Sequence, residues 1–299
     1  MMAKSPSIII IIPYFGQWPF WMPFFIESCR ANCDINWLLV GDCAVLEDLP
    51  DNVEQRTVDF ASYCAFISER LDIRFNPSNP YKLCDLKPAL GFIHAADVAG
   101  YDYWGFSDLD LIYGDLRAYF SDERLRRFKV LSTHERRISG HFCLLRNESE
   151  LNSLFWKIPD FVRRAEDPKN HALDEGGFSR IFLWRKNFPK PLFDFVGLFN
   201  RWRRVAEFTE AFSTPNASRP WIDGTMRFPD CWYWESGRLR NSRDGELEFP
   251  YLHFLAWKKN AWKKIPVASF QYWQEIALTQ QWRIDQAGFH VYGAGLDSC

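Results

Sequence analysis

No C-x-x-C pair occurs in this chain. Its eight cysteines, Cys29, Cys33, Cys43, Cys64, Cys84, Cys143, Cys231 and Cys299, are scattered along the chain. That spacing argues against a zinc ribbon or a thioredoxin-type motif, and free buried thiols in a reducing compartment are the simplest account. Neither G-x-x-x-x-G-K-[ST] nor G-x-G-x-x-G follows the first apolar run, which argues against a P-loop and a dinucleotide fingerprint. Charge of one sign is lacking too. A formal net charge of -2 gives no global field for nucleic acid, and no nucleic-acid partner is expected. No internal repeat, low-complexity tract or linker breaks the 299 residues, so one domain with a C-terminal extension is expected.

Aromatic residues, by contrast, are abundant: 17% of the chain, with 14 Trp and 27 Phe. Cores, sugar-stacking surfaces and membrane-interface belts all draw on them, so the excess alone does not choose among the three. The stretch from Ile8 to Ile26 is almost wholly apolar and resembles a membrane span or leader. Pro13, Gly16, Gln17, Pro19 and Pro23 break any helix through it, and no small-residue cleavage site follows. A buried strand and a loop fit better, and the protein is expected to be soluble and cytoplasmic.

Strands are predicted at Ser7–Ile12, Ile35–Val40, Gln55–Phe60, Lys129–Ser132 and Phe142–Leu145. Helices are predicted at Ala61–Arg74 and from Pro88 to Val98, then at Glu148–Arg164 and Leu173–Arg185. Trp232–Phe249, interrupted at Asn241–Gly245, reads as a hairpin. Strand and helix alternate in the first half, so the fold class is α/β with a largely parallel sheet. Ligands gather at the carboxyl ends of such strands.

One stretch stands out: Tyr103-Trp104-Gly105-Phe106-Ser107-Asp108-Leu109-Asp110. On a strand, Asp108 and Asp110 would share a face. Paired carboxylates repel unless a cation lies between them, and hard oxygen ligands suit Mg²⁺ or Mn²⁺. The alternative is an acidic turn at a strand end. Lys82, Asp85 and Lys87 precede a predicted helix start, where anions are favoured; they are either phosphate and hydroxyl contacts or solvated loop charges. His253 lies among apolar residues, as a ligand or as a hydrogen-bonded core residue, with Lys258 and Lys259 close behind. Asp174 and Glu175 open a predicted helix, as a candidate base or as charges favoured by the helix dipole.

In order and spacing, these features resemble the GT-A-fold glycosyltransferases, especially the bacterial sugar transferases of polysaccharide assembly. Three features carry the resemblance: the first strand ending in Pro13-Tyr14-Phe15-Gly16 with Asp42 after the second; Lys82-x-x-Asp85-x-Lys87 ahead of Asp108-Leu109-Asp110; and the late His253 with Lys258 or Lys259. Lys87 stands where many relatives carry Arg, which costs a bidentate fork. The resemblance implies a Rossmann-like, mixed and mostly parallel sheet flanked by helices. It divides the chain into a nucleotide-sugar half (about 7–120), an acceptor half (about 121–259) and an extension (260–299).

It further implies transfer from a nucleotide-sugar, a UDP-sugar as the expected donor, to a cell-surface glycan or lipid-linked precursor. Asp108, Asp110 and His253 would hold Mn²⁺ or Mg²⁺. Pro13, Tyr14, Phe15, Asp42, Lys82, Asp85, Lys87, Asp108, His141, Lys258 and Lys259 would bind the nucleotide-sugar, and Asp174 or Glu175 would act in catalysis or hold sugar hydroxyls. Trp257-Lys258-Lys259, Trp262-Lys263-Lys264 and Arg201-Trp202-Arg203-Arg204 suggest peripheral contact with the inner face of the cell membrane, or else a basic face over a Trp-rich core. A metal-dependent nucleotidyltransferase or phosphohydrolase, and a non-catalytic glycan-binding module, are the rival readings.

Overall fold

The computed structural model describes residues 4–184, 189–217, 219–265 and 268–293. Cys299, and Arg185 at the end of a predicted helix, lie outside them. Thirteen strands occur among the described residues: β1 (Ile8–Pro13), β2 (Ile35–Gly41), β3 (Val53–Thr57), β4 (Tyr103–Ser107), β5 (Leu111–Tyr113), β6 (Val130–Ser132), β7 (Phe142–Arg146), β8 (Ala206–Phe208), β9 (Cys231–Glu235), β10 (Arg238–Asn241), β11 (Tyr251–His253), β12 (Gln281–Asp285) and β13 (Gly288–Val291). The main sheet has the order β3-β2-β1-β4-β7-β6-β8. The run β3-β2-β1-β4 is parallel, and β7 is antiparallel to both β4 and β6. This is the mixed, mostly parallel α/β sheet expected of a GT-A-type chain.

The five isoleucines of β1 show why the sheet is buried on both faces. Ile9 and Ile11 enter one core with Tyr63, Cys64 and Ile67 of helix α2 (Phe60–Leu71). Ile8, Ile10 and Ile12 enter the other with Met22, Phe25 and Ile26 of helix α1 (Met22–Arg30). Strand alternation thus places a continuous apolar run on two cores at once. Phe24 points the other way from Phe25, into a third core built around the antiparallel sheet β10-β9-β12-β13. Trp234 and Trp282 stack there at 3.9 Å between centroids. Trp257 and Trp262 belong to this core and are buried, in keeping with the alternative of a basic face over a Trp-rich core.

Several boundaries differ from expectation for local reasons. Phe60 opens α2 instead of closing β3, because Asp59 accepts from Ser62 N at 2.9 Å as a side-chain cap. The helix predicted from Pro88 is a 3-10 segment, Pro80–Ala89, followed by the short turns Leu90–Ile93 and Ala95–Val98. The turns part at His94, whose ring is held by Tyr63 and Asp97 at 2.8 Å each. Glu148–Arg164 is divided at Pro159, ahead of Asp160 at φ +55°. The β9–β10 hairpin turns at Ser236-Gly237, both at positive φ, and not at Asn241–Gly245. Cys29, Cys43, Cys64 and Cys143 are buried free thiols as expected, whereas the free thiols of Cys33 and Cys84 are exposed and half-buried. Cys231 is disulfide-bonded, which corrects the reading of every cysteine as free. No helix among the described residues is long and apolar enough to cross a membrane.

Candidate active site

Asp108-Leu109-Asp110 is not on a strand. It forms the turn between β4 and β5, so strand alternation does not aim its carboxylates. Backbone contacts do: Asp108 N donates to His141 O (3.0 Å), Phe254 N donates to Asp110 O (3.3 Å), and Trp21 Nε1 donates to Leu109 O (2.9 Å). The turn is therefore tied to the entry of β7, to the end of β11 and to the start of α1. It borders a cleft of about 630 Å³, within the usual range for small-molecule sites.

Asp108, Asp110 and His253 each offer a ligand atom, and these atoms all lie within 4.8 Å of one another. His253 Nε2 is 3.3 Å and Lys258 Nζ 2.6 Å from Asp110 Oδ2. Asp110 Oδ2 is thus held by close ionic contact with Lys258, and it and His253 Nε2 face each other as buried polar atoms with no well-directed hydrogen bond between them. Such atoms are costly in an interior unless something fills the gap. Two carboxylates and an imidazole form a donor set that fits a divalent cation such as Mn²⁺ or Mg²⁺. Burial would raise the Asp110 pKa, but His253 and Lys258 hold it well below the usual carboxylate range. On its far side, His253 Nδ1 lies 3.0 Å from Thr214 Oγ1.

Lys87 donates to Asp108 Oδ1 (2.5 Å) and to Gly140 O (2.6 Å). Burial would lower its pKa, yet Asp108, Cys84 and Asp174 keep it charged. His141 stacks on His253, with centroids 4.2 Å apart, and its Nε2 lies 2.9 Å from Tyr251 Oη. Tyr251 donates onward to Thr133, so the phenol oxygen accepts from His141 Nε2–H. Burial and the neighbouring His253 lower the His141 pKa well below its ordinary value.

Pro13, Tyr14, Phe15, Lys259, Asp174 and Glu175 also line the cleft. Gly41 lets the Tyr14 loop close over it: a Cβ there would meet Tyr14 O at 1.7 Å. Gly140 is equally constrained, because a Cβ would come within 2.9 Å of both Asp174 and Glu175. Burial pushes the Asp174 carboxyl up to about 6 against the pull of Lys87. Glu175 pairs with Arg137 at 3.1 Å.

Three expected contacts lie elsewhere. Asp42 does not line the cleft; it accepts from Gly16 N at 2.7 Å and fixes the loop after β1. Lys82 and Asp85 are also absent from the cleft wall and are fully buried. Lys82 Nζ donates to Asp85 (2.8 Å), Arg164 O (2.6 Å) and Lys169 O (2.7 Å), while Asp85 accepts from His171 N and Leu173 N. Their hydrogen-bonding capacity is spent inside the protein, so the expectation of phosphate and hydroxyl contacts is corrected to a structural pair. Sequence reasoning missed Thr214, which sits in an irregular stretch with no motif, and Tyr81, which is two-thirds exposed at the cleft rim.

No curated protein matches the sequence. Among solved structures, the chain is similar to the galactosyltransferase LgtC in complex with donor and acceptor sugar analogues (12% identity, TM-score 0.36, covering 67% of this chain and 85% of that one). It is also similar to mouse xyloside xylosyltransferase 1 (11% identity, TM-score 0.38, 70% and 87%). A third is a glycosyltransferase involved in glycosylation of the major capsid of PBCV-1 (10% identity, TM-score 0.43, 92% and 100%). At such values these likenesses assign neither residues nor activity. Residues 10–281 match a family of unknown function, DUF6625, and the chain belongs to that family.

Proposed function

We propose that this chain is a metal-dependent glycosyltransferase that moves a sugar from a nucleotide-sugar, a UDP-sugar in the first instance, to a glycan or lipid-linked precursor at the inner face of the cell membrane. The observation that carries the reading is the convergence of Asp108, Asp110 and His253, their ligand atoms within 4.8 Å of one another, with buried Asp110 Oδ2 and His253 Nε2 facing each other in a cleft of small-molecule size. Asp108, Asp110 and His253 would hold the cation, which when bound would offset the charge growing on a departing diphosphate.

The remaining roles fall to side chains already in the cleft wall. Lys258 is one-third exposed and can turn from Asp110 to an entering diphosphate, with Lys259 beside it. Lys87 is committed to Asp108 and Gly140 O and acts by holding the Asp108 carboxylate in place. Tyr14 and Phe15 offer aromatic faces at the end of β1, as a base or a sugar requires. Asp174, raised to about 6, is ionised at neutral pH and is the candidate to accept the acceptor hydroxyl's proton or to hold sugar hydroxyls. Glu175, held by Arg137, is placed for the hydroxyl-binding role. In this reading residues 7–120 form the nucleotide-sugar half of a single domain, 121–259 the acceptor half and 260–299 an extension.

Thermal unfolding with UDP, GDP and CMP, each with and without Mn²⁺, tests the proposal, because a ligand that binds the folded state raises the midpoint by mass action. A rise with one nucleotide that requires both Mn²⁺ and Asp110 is expected, and it names the donor class. No rise with any nucleotide, but a rise with oligosaccharide alone, would replace the transferase by a glycan-binding module.

A further inference from the structure

We propose that Tyr81 is the platform on which the acceptor stacks, and that the acceptor group entering the cleft is a neutral pyranose, not a phosphate or a carboxylated sugar. The proposal rests on the transferase reading and names its acceptor class. Among the rings that line the cleft, Tyr14 packs against Trp18, Phe15 against Phe60 and Tyr63, Trp21 against Phe20 and Phe254, and Phe106 against Trp104. Tyr81 differs from them. It is 66% exposed, and among the described residues its ring meets no other ring and its hydroxyl makes no hydrogen bond. A lone exposed aromatic is ordinary on an open surface. On the rim of a small-molecule cleft it is a flat apolar face that an entering ligand meets, and the C–H face of a pyranose fits it.

The ring stands on a fixed base. Asn79 Oδ1 accepts from Tyr81 N at 2.9 Å, and the next residue is Lys82, locked by its bonds to Asp85, Arg164 O and Lys169 O. Asp85 also holds a second segment of the cleft wall, through His171 N and Leu173 N. In that segment Ala172 N donates to Asn170 Oδ1 at 3.0 Å. The closed Lys82–Asp85 network therefore sets both the backbone under Tyr81 and the segment 170–173. A platform on a fixed backbone leaves one side chain to order on binding, which keeps the entropic cost small.

Charge selects the occupant. The lysines of the cleft wall are Lys87, Lys258 and Lys259. Lys258 and Lys259 belong to the metal end, and Lys87 is committed to Asp108 and Gly140 O. The neighbouring Cys84, partial burial and Asp174 raise the Tyr81 pKa, which puts the ring within electrostatic reach of Asp174. This end of the cleft thus offers the Asp174 and Glu175 carboxylates, the latter already held by Arg137. It also offers the Nδ2 groups of exposed Asn79 and Asn170, which donate to nothing among the described residues. Carboxylates and amides suit hydroxyl groups, whereas a phosphate or uronate here would face acidic groups without a spare cation.

The test is saturation-transfer NMR on the full chain with UDP and Mg²⁺, titrated with methyl glucoside, methyl galactoside and methyl mannoside, and with methyl glucuronide and isoprenyl phosphate as the anionic probes. At least one neutral glycoside should bind, with saturation strongest on the C–H protons of one ring face. Tyr81→Ala should weaken that binding about tenfold, the loss expected when roughly 50 Å² of apolar contact is removed. Tyr81→Phe should bind as the wild type does, because the platform is the ring and not the hydroxyl. Tyr81→Ala should keep the thermal midpoint and its rise with UDP and Mn²⁺. Equal glycoside binding by Tyr81→Ala, or an equal loss in Tyr81→Phe, would overturn the proposal. Tighter binding of the glucuronide or the isoprenyl phosphate than of every neutral glycoside would also overturn it. So would the absence of glycoside binding in a wild type whose midpoint rises with UDP and Mn²⁺, and the transferase reading would then stand alone. Glycoside binding that depends on Tyr81 in a protein that answers to no nucleotide would instead end the transferase reading and keep the platform as a glycan site.

Discussion

In the Lys82–Asp85 pair the ammonium reaches a carboxylate and two carbonyls, and the carboxylate accepts two further backbone N–H groups. In the Asp110–His253 pair, as deeply buried, an oxygen and a nitrogen face each other across 3.3 Å with no hydrogen bond to either, and the one counter-ion at hand is the one-third-exposed Lys258, 2.6 Å from the same oxygen. Both are buried polar clusters, and burial alone would rank them together. What separates them is satisfaction. A closed network serves the fold, because breaking it strands a charge. An open one keeps coordination capacity for something that arrives from the cleft.

The comparison breaks most sharply at Lys82. Lys82→Met should cost about 3–5 kcal/mol by leaving Asp85 without its counter-ion, read as a lower urea midpoint, while Mn²⁺ affinity of the folded protein stays within about twofold. A near-neutral urea midpoint would mean that the pair is not the closed structural cluster described.

Asp174 sharpens the comparison through pH. Burial raises its carboxyl from 3.8 to about 6, so the folded state holds the proton where the unfolded chain has released it. The wild type should therefore lose stability as pH rises from about 4 to about 6, by roughly 3 kcal/mol in all, and then level off. Asp174→Asn should lack that fall, as measured by denaturant midpoints across the range. Parallel curves for the two proteins would contradict the strained carboxyl.

The smallest expected effect lies at Thr214. Its hydroxyl is 3.0 Å from His253 Nδ1 and so can fix the ring with Nε2 towards Asp110. Thr214→Val should weaken Mn²⁺ binding about 10–100-fold and Thr214→Ser should restore it. Equal affinity in all three would remove the orienting role.

The sequence showed the sheet well where the chain is locally uniform. The β-branched runs of β1 and β2 and the stops at Pro13 and Gly41 need no distant partner to be read. It also showed the order of Asp108, Asp110, His253 and Lys258, because residue types and spacing survive folding. The aim of the Asp pair was not visible, since it is set by bonds from His141, Phe254 and Trp21, up to 144 residues away in sequence. Nor was the fate of Lys82 and Asp85. Charged residues before a helix start read as solvent-facing, and only the return of the chain at 164–173 buries them. The tryptophans of the last third carried no label distinguishing core from surface. Pairing of β9 with β12, 50 residues apart, is what encloses them.

The central claim is that Asp108, Asp110 and His253 form a cation site. Titration of the protein with Mn²⁺, followed by the electron paramagnetic resonance of the free ion, tests it directly on the wild type and on Asp110→Asn. The account predicts one bound Mn²⁺ in the wild type and affinity at least about 100-fold weaker in the variant, beyond what loss of an orienting partner causes, with the fold intact. Equal Mn²⁺ binding by the two proteins, or none by the wild type, would contradict it.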